Sequence, residues 1–578
     1  MFFIKKRHYI WMGFSLVISF LIIQISSSST FCWLGFKKIA VNLLLELIIW
    51  FVFFFISWCR VKVACVGTVI FNTILGFANA QVLIFRGNEI SINDIRSINT
   101  ALSVADQYKI EINFKLGVVL AIGIIAVVIL LKSKLSLGIS KKEVIISGIS
   151  MGAGILVVLL AATKYTPFTM RDEGALYNGY LLEQVIEMTS AGRIEPENYS
   201  EEQVNEIVSK YEALQDETEE TDHPNIIIIM SESYSDPEVL GNIVTNEDYN
   251  SYFKKVSTST LHGYALSSVY GGTTANSEWE FLTASSTFFM PEGTIPYQQY
   301  INDRANSLVK AMNAQDYKTI SVHPYKPEGW RRDAVYPKFG FDESIWEEDF
   351  EEPEYVREYI SDRSFYSKII QLFEEKENEK LFVFGISMQN HGGYGSEMQP
   401  QVEIDNMQGE YSDANQYLSL LKISDEALRD LIEYFTDYDE KVIILFFGDH
   451  QPRLNEQFYA ELGTDEQSKY IIPWFVWDNA GKLKSEEEPL TSINYLSSIM
   501  LEAEHLPMTK YNRALIEIRN QIPAINAWGY WDSDGNWNNE AKQEDEEIRD
   551  LQLLQYVNNI DANMLDKNEA FFMLGAGK

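Results

Sequence analysis

The chain has 578 residues, 46% of them hydrophobic and 13% aromatic, which is ample for more than one buried core, and a formal net charge of −35. So acidic a chain repels phosphate backbones, which excludes nucleic acid as a natural partner. The three cysteines, Cys32, Cys59 and Cys65, all fall in or beside the apolar first third, which excludes a disulfide framework for the remainder.

In chain order, apolar stretches run from Tyr9 to Ile25, Val41 to Cys59, Val63 to Phe85, Leu116 to Leu131 and Val144 to Ala162. Each is close to the roughly 20 residues that a bilayer crossing needs, so residues 1–163 are expected to form about five transmembrane helices. Positive charges in short loops stay in the cytoplasm, and three clusters share one side: Lys5, Lys6 and Arg7; Arg60 and Lys62; Lys132, Lys134, Lys141 and Lys142. Lys37, Lys38, Arg86, Arg96, Lys109 and Lys115 fall in the opposite loops, so the bias is moderate. An odd number of crossings carries everything after Ala162 outside. The polar loop from Arg86 to Lys115 is either a plain connection or a segment lying along the outer membrane face.

Residues 164–222 are mostly polar, with helical pieces at Tyr180 to Met188 and Glu201 to Leu214, and read as a linker arm. In residues 223–510, apolar runs at Asn225 to Met230, Tyr317 to Val322, Leu381 to Ile386, Lys441 to Phe447 and Tyr470 to Trp477 read as buried strands. Helical patterns lie between them at Ser277 to Ala284, Asp362 to Lys376 and Gln416 to Thr436. This alternation predicts an α/β domain with a mostly parallel sheet covered on both faces. Residues 511–578, with a patterned stretch from Arg513 to Ile525, the aromatic Trp528-Gly-Tyr-Trp531 and an acidic tail, read as peripheral.

Chemistry collects at the strand ends, where α/β folds place their sites. The first strand runs into Ser231-Glu232-Ser233, the fourth into Gly448-Asp449-His450-Gln-Pro, and between them Gly271-Gly-Thr-Thr274 forms a tight turn before a helical pattern. Two carboxylates, an imidazole and a hydroxyl suit a divalent ion such as Zn²⁺ or Mn²⁺ without demanding thiolate. A metal on Thr274 would turn a poor alcohol into a nucleophile; equally, Thr273 or Thr274 could simply cap the helix. His323, followed by Trp330, Arg331 and Arg332, offers an imidazole, an indole and a guanidinium fork to a phosphoglycerol-like group, and His391 follows another strand in Asn390-His391-Gly.

Taken together, the segments at Glu232, Gly271 to Glu278, His323 with Trp330 and Arg332, Asn390-His391-Gly and Gly448 to Pro452 resemble the lipoteichoic acid synthase family of membrane-anchored, sulfatase-fold enzymes. The resemblance implies an extracellular sulfatase/alkaline-phosphatase-like domain after the membrane helices, in a bacterial, Gram-positive envelope. It implies transfer of glycerol phosphate from phosphatidylglycerol to a polyglycerolphosphate chain or glycolipid, with diacylglycerol released. Under it Glu232, Thr274, Asp449 and His450 hold a Mn²⁺-type ion, with Zn²⁺ or Mg²⁺ as alternatives, and Thr274 becomes the phosphoglycerylated intermediate. His323, Trp330, Arg332 and His391 bind the headgroup, with Arg332 and His391 also serving catalysis. Thr273 stands where a different residue is expected, which leaves open which hydroxyl attacks. The rival enzymatic reading is a phosphoethanolamine transferase of the same fold, and a non-catalytic binder of glycerophosphate polymers is the reading from another class. Sulfate ester hydrolysis is disfavoured, because no cysteine exists outside the first third to supply its modified nucleophile.

Overall fold

The computed structural model describes residues 2–27, 34–86, 89–90, 114–135, 141–162, 175, 178–190, 195–213, 223–291, 293–395, 398–542 and 545–575, which divide into an N-terminal helical unit and an α/β unit. The expected segment on the outer membrane face falls almost wholly on residues 87–113, mostly outside the described ones.

Among the described residues, four helices of the first unit are long and apolar enough to cross a membrane: Arg7–Ser26, Phe36–Ile56, Val61–Leu83 and Phe114–Lys132. The fifth expected span, in helix Lys141–Ala162, has a shorter apolar stretch, Ile145–Leu160. Where these helices meet, side chains are not uniformly apolar. Trp50 stacks on Phe54 with centroids 5.0 Å apart and donates to Cys65 Sγ at 3.4 Å. One turn away the buried Glu46 accepts from Asn72 Nδ2 at 2.9 Å. Such a pair costs too much against lipid, so these faces must turn toward one another.

The strands of the second unit, in chain order, are β1 (Asn225–Ser231), β2 (Leu261–Leu266), β3 (Tyr317–Val322), β4 (Glu343–Ile345), β5 (Tyr355–Val356), β6 (Tyr359–Ile360), β7 (Lys380–Ile386), β8 (Val442–Gly448), β9 (Ile471–Asp478), β10 (Glu486–Ser492), β11 (Ala524–Asn526), β12 (Gly529–Trp531) and β13 (Trp537–Asn538). Eight form the main sheet in the order β10-β2-β9-β8-β1-β7-β3-β4. Only β9 runs against its neighbours; every other pairing in that sheet is parallel. The five strands expected from the sequence are β1, β3, β7, β8 and β9.

Successive side chains of a strand point to opposite faces, and in β1 and β8 both faces are buried. Ile226, Ile228 and Met230 join Ile443, Leu445 and Phe447 in one core. Ile227 and Ile229 join Val442, Ile444 and Phe446 in the other. Helices Thr274–Thr283, Ile493–Ala503 and Lys510–Arg519 cover the first face, and Asp362–Glu375 and Ser412–Thr436 the second. The result is a sheet sandwiched between two helical layers, with β1 and β8 at its centre.

Two stretches differ from expectation. Within the expected arm, helix Tyr180–Ser190 is tied into the first unit, where Asn42 Oδ1 accepts from Leu182 N at 3.1 Å. Helix Glu201–Glu212 instead buries Val204, Ile207, Val208 and Tyr211 in the core of the second. The segment after Tyr511, expected at the periphery, is core as well: helix Glu546–Asn559 buries Ile548, Leu551, Leu554 and Val557, and its Asp550 accepts from Lys210 and Tyr211 at 2.7 and 3.0 Å. The acidic run masked the leucine spacing on the opposite helix face.

Candidate active site

Because β1 and β8 are parallel neighbours in register from Asn225 opposite Val442 to Ser231 opposite Gly448, the residues just past each strand emerge side by side. That places Glu232 next to Asp449 and His450. Gly448 allows the close approach: a Cβ there would lie 1.8 Å from the Tyr234 carbonyl oxygen. The third component arrives on the helix opening at Thr274. Gly271 and Gly272 carry φ of +68° and +150°, Thr273 is left-handed at φ 68°, and the helix begins at the next residue.

The structure brings the four expected ligand residues together, all buried. Thr274 Oγ1 donates to Glu232 Oε2 at 3.3 Å, whereas Thr273 makes no side-chain cap and stays half-buried, so it is Thr274 that meets the carboxylates. Ligand atoms of Glu232, Asp449 and His450 lie within 4.8 Å of one another. Asp449 Oδ1 is occupied, accepting from the Ser233 and His450 amides at 2.7 and 2.8 Å. Its Oδ2 and His450 Nε2 have no hydrogen-bond partner, although they face each other at 3.2 Å.

This pairing tests the fit of a cation. His450 Nδ1 lies 2.9 Å from the Gln451 carbonyl oxygen, which only accepts, so Nδ1 carries the hydrogen and Nε2 of the neutral ring presents a lone pair. A ring nitrogen 3.2 Å from a buried carboxylate oxygen calls for a positive charge between the two, which a proton on Nε2 or a bound cation supplies. Burial, and then the neighbouring Asp449 charge, push the Glu232 carboxyl above its ordinary range; burial does the same to Asp449. A donor set of carboxylate oxygens, one imidazole nitrogen and one hydroxyl suits a divalent ion of the Zn²⁺ or Mn²⁺ kind, with the backbone carbonyl behind His450 fixing its tautomer.

The second expected group assembles around a residue to which the sequence assigned no role. Glu278, one turn after Thr274 on the same helix face, is fully buried and receives Arg332 through Nε at 3.0 Å and Nη2 at 2.5 Å, together with the hydroxyls of Tyr297 at 3.1 Å and Tyr336 at 2.8 Å. Burial opposes the charge on Arg332, but the Glu278 carboxylate holds its guanidinium above the ordinary value. Arg332 Nη1 in turn donates to His323 Nε2 at 3.1 Å, and His323 Nδ1 faces the Ile386 carbonyl at 3.0 Å. Burial, then the Arg332 charge, keep His323 well below its usual value and therefore neutral. The i, i+4 spacing of Thr274 and Glu278 was the available signal for Glu278; the identity of its partner was not visible.

His391 is half-buried, with Nδ1 3.0 Å from the Tyr359 hydroxyl, and burial, only partly offset by the nearby Glu232 charge, holds its pKa below the usual value. Arg357, also missed, binds the His391 carbonyl at 2.8 Å and the Gln389 carbonyl at 2.9 Å. Trp330 sits half-buried on the turn before Arg332, at φ 54°.

Fold and site thus define an α/β domain that sets a helix-opening hydroxyl against a carboxylate and imidazole cluster able to hold a divalent ion. Residues 224–503 match the sulfatase family, and this part of the chain is a sulfatase-family domain. Among solved structures, the Streptococcus pyogenes phosphoglycerol transferase GacH in complex with sn-glycerol-1-phosphate is 25% identical, with a TM-score of 0.57 over 65% of this chain and 98% of that one. A putative cyclic beta-1,2-glucan modification protein of Rhizobium meliloti (strain 1021) is 29% identical over 358 residues, 59% of this chain and 54% of that protein. A capsular polysaccharide biosynthesis protein of the same organism, RkpI, is 30% identical over 162 residues, 27% of this chain and 28% of its own. The chain therefore spans about half the length of the first curated relative and about a quarter of the second. Relatives from Rhizobium beside one from Streptococcus do not support a Gram-positive origin over any other.

Proposed function

We propose that this chain is a membrane-anchored phosphotransferase that moves glycerol phosphate from phosphatidylglycerol to a cell-surface polymer or glycolipid, using Thr274 as nucleophile. The observation that carries the reading is the Thr274 hydroxyl bonded to Glu232 beside the unpartnered Asp449 Oδ2 and His450 Nε2. The likeness to a phosphoglycerol transferase supports the glycerophosphate donor. Five apolar helices and the lysine clusters between them support a site outside the cell.

A divalent ion held by Glu232, Asp449, His450 and Thr274, Mn²⁺ foremost, would lower the pKa of the threonine and screen phosphate charge. Glu232 Oε2 holds the hydrogen of Thr274 Oγ1 and receives it as the oxygen attacks phosphorus. The bond from phosphorus to the diacylglycerol oxygen breaks, and His391 gives that oxygen a proton. The acceptor hydroxyl then attacks the phosphoglyceryl threonine, returning a proton to His391 while Thr274 recovers its own from Glu232. Arg332, fixed by Glu278 and backed by His323, faces the phosphate oxygens, and Trp330 lines the headgroup side. The amide end of helix Thr274–Thr283 adds to the attraction for the incoming anion.

The test is release of diacylglycerol from a fluorescent phosphatidylglycerol by the full chain in detergent with Mn²⁺. Wild type is expected to turn over and Thr274→Ala to fall by a factor on the order of 10³ or more. Equal turnover by the variant would remove Thr274 from the reaction, and preference for phosphatidylethanolamine would transfer the chain to the phosphoethanolamine reading.

A further inference from the structure

The family match ends at residue 503, yet the segment beyond it reaches the rim of the site. β11 ends at Asn526, and the chain turns at Ala527 and Trp528. Asn526 Nδ2 donates to the Ser267 carbonyl at 3.1 Å, and the Ala527 amide donates to Ser268 Oγ at 2.9 Å. Ser267 Oγ in turn donates to the backbone carbonyl of Asp449 at 2.8 Å. The turn is therefore held two hydrogen bonds from Asp449.

The Trp528 ring lies 5.8 Å from Tyr470, and Tyr470 lies 6.2 Å from Tyr270, four residues before Thr274. Arg453 borders this surface, its guanidinium 5.9 Å from the Tyr270 ring, and an added Cβ on Gly271 would touch its side chain. Tyr470, Trp528 and Arg453 are each half-buried, so each keeps a solvent-facing edge. At Gly272 an added Cβ would meet nothing within 4 Å, which leaves the turn before the nucleophile open.

Partly exposed aromatic rings offer apolar surface to the C–H side of a pyranose, and the bordering Arg453 guanidinium, whose Nη2 lies 3.5 Å from Glu456, adds donors for its hydroxyls. This surface adjoins the turn that precedes Thr274, whereas Glu278, with Arg332 and His323 behind it, lies one turn further along the helix that Thr274 opens. Both curated relatives described above are named for polysaccharide work, one for a glucan and one for a capsule. We propose that Tyr470 and Trp528, bordered by Arg453, form the subsite for a carbohydrate acceptor whose hydroxyl takes the glycerophosphoryl group from Thr274. The assignment of this surface to an acceptor rests on the transferase reading. In the step it serves, a bond forms between the sugar oxygen and phosphorus, the bond between phosphorus and Thr274 Oγ1 breaks, the sugar proton passes to His391, and Thr274 is reprotonated by Glu232.

The test is calorimetric binding of a β-1,2-linked glucan oligosaccharide to the full chain in detergent, with no lipid donor present. Wild type is expected to bind, Trp528→Ala to bind at least ~10-fold more weakly, and Trp528→Phe, which keeps a flat ring, to stay within roughly 3-fold. Melting midpoints are read in parallel, and should Trp528→Ala unfold, Tyr470→Ala carries the same expectation. Absence of glucan binding by wild type, or equal affinity in wild type and the alanine variant, would overturn the subsite. Glucan binding that depends on Trp528 in a chain unable to cleave phosphatidylglycerol would keep the carbohydrate site and sink the donor assignment instead.

Discussion

Glu278 shows how much one side chain organises. Its carboxylate takes a guanidinium and two tyrosine hydroxyls in a place without solvent, and so ties the helix that opens at Thr274 to Arg332. Removing one partner of a buried pair strands the other charge, which costs about 3–5 kcal/mol. Glu278→Ala is accordingly expected to lower thermal stability by that order. Glu278→Gln, which keeps the shape but not the charge, is expected to fold and to lose phosphatidylglycerol turnover by about 10-fold or more, because Arg332 is no longer held in place. Unchanged kinetics in the glutamine variant would reduce Glu278 to a structural residue.

Glu280, two residues on, makes a different prediction. It is buried and accepts from Ser268 Oγ and from the Thr287 amide and hydroxyl, yet burial pushes its carboxyl from 4.5 up to about 7. The folded chain therefore keeps a proton that the unfolded chain has released, so this contribution to stability is full below 4.5 and is lost as pH rises through about 7. The size is on the order of 3 kcal/mol. Melting midpoints measured at pH 5 and pH 8 should fall between the two in wild type, and fall less in Glu280→Gln; an identical decline in both would refute it.

Among the elements, legibility followed burial on both faces. β1, β7 and β8 are near-continuous apolar runs because helices cover the sheet on either side, and such runs stand out in sequence. β2, Leu-His-Gly-Tyr-Ala-Leu, and the edge strand β10, with three glutamates and a proline, do not, since an edge is kept polar against further pairing. The grouping of Glu232 with Asp449 and His450 was legible because β1 and β8 each deliver their carboxylate just past a recognisable strand end. The Glu278 arrangement was hidden, because Tyr297, Arg332 and Tyr336 reach it from turns and short helices whose tertiary placement no local pattern encodes.

Helix Glu546–Asn559 was misread for a related reason: its acidic first turn looks like a solvated tail, while its leucines close the core against helix Glu201–Glu212. Leu551, which has no exposed surface, tests this placement. Leu551→Ala is expected to destabilise the chain by about 2–5 kcal/mol. A melting midpoint equal to wild type would return this helix to the periphery.

At the scale of the whole molecule, the chain joins apolar helices to a sulfatase-family domain whose site needs no oxidising compartment, since it uses no cysteine. The apolar helices themselves carry a buried carboxylate, so they are more specific in their packing than a plain anchor requires. Under the proposed transfer, anchoring would confine the domain to a layer rich in phospholipid headgroups, where the supply of a lipid donor is not limited by diffusion through bulk water. The proposed transfer turns on one covalent event at one oxygen. The direct measurement is peptide mass spectrometry of the full chain quenched during turnover of phosphatidylglycerol with Mn²⁺. The account predicts a glycerophosphoryl group on Thr274, absent from Thr273 and from the Thr274→Ala variant. An adduct on any other side chain, or sustained turnover with Thr274 never modified, would contradict it.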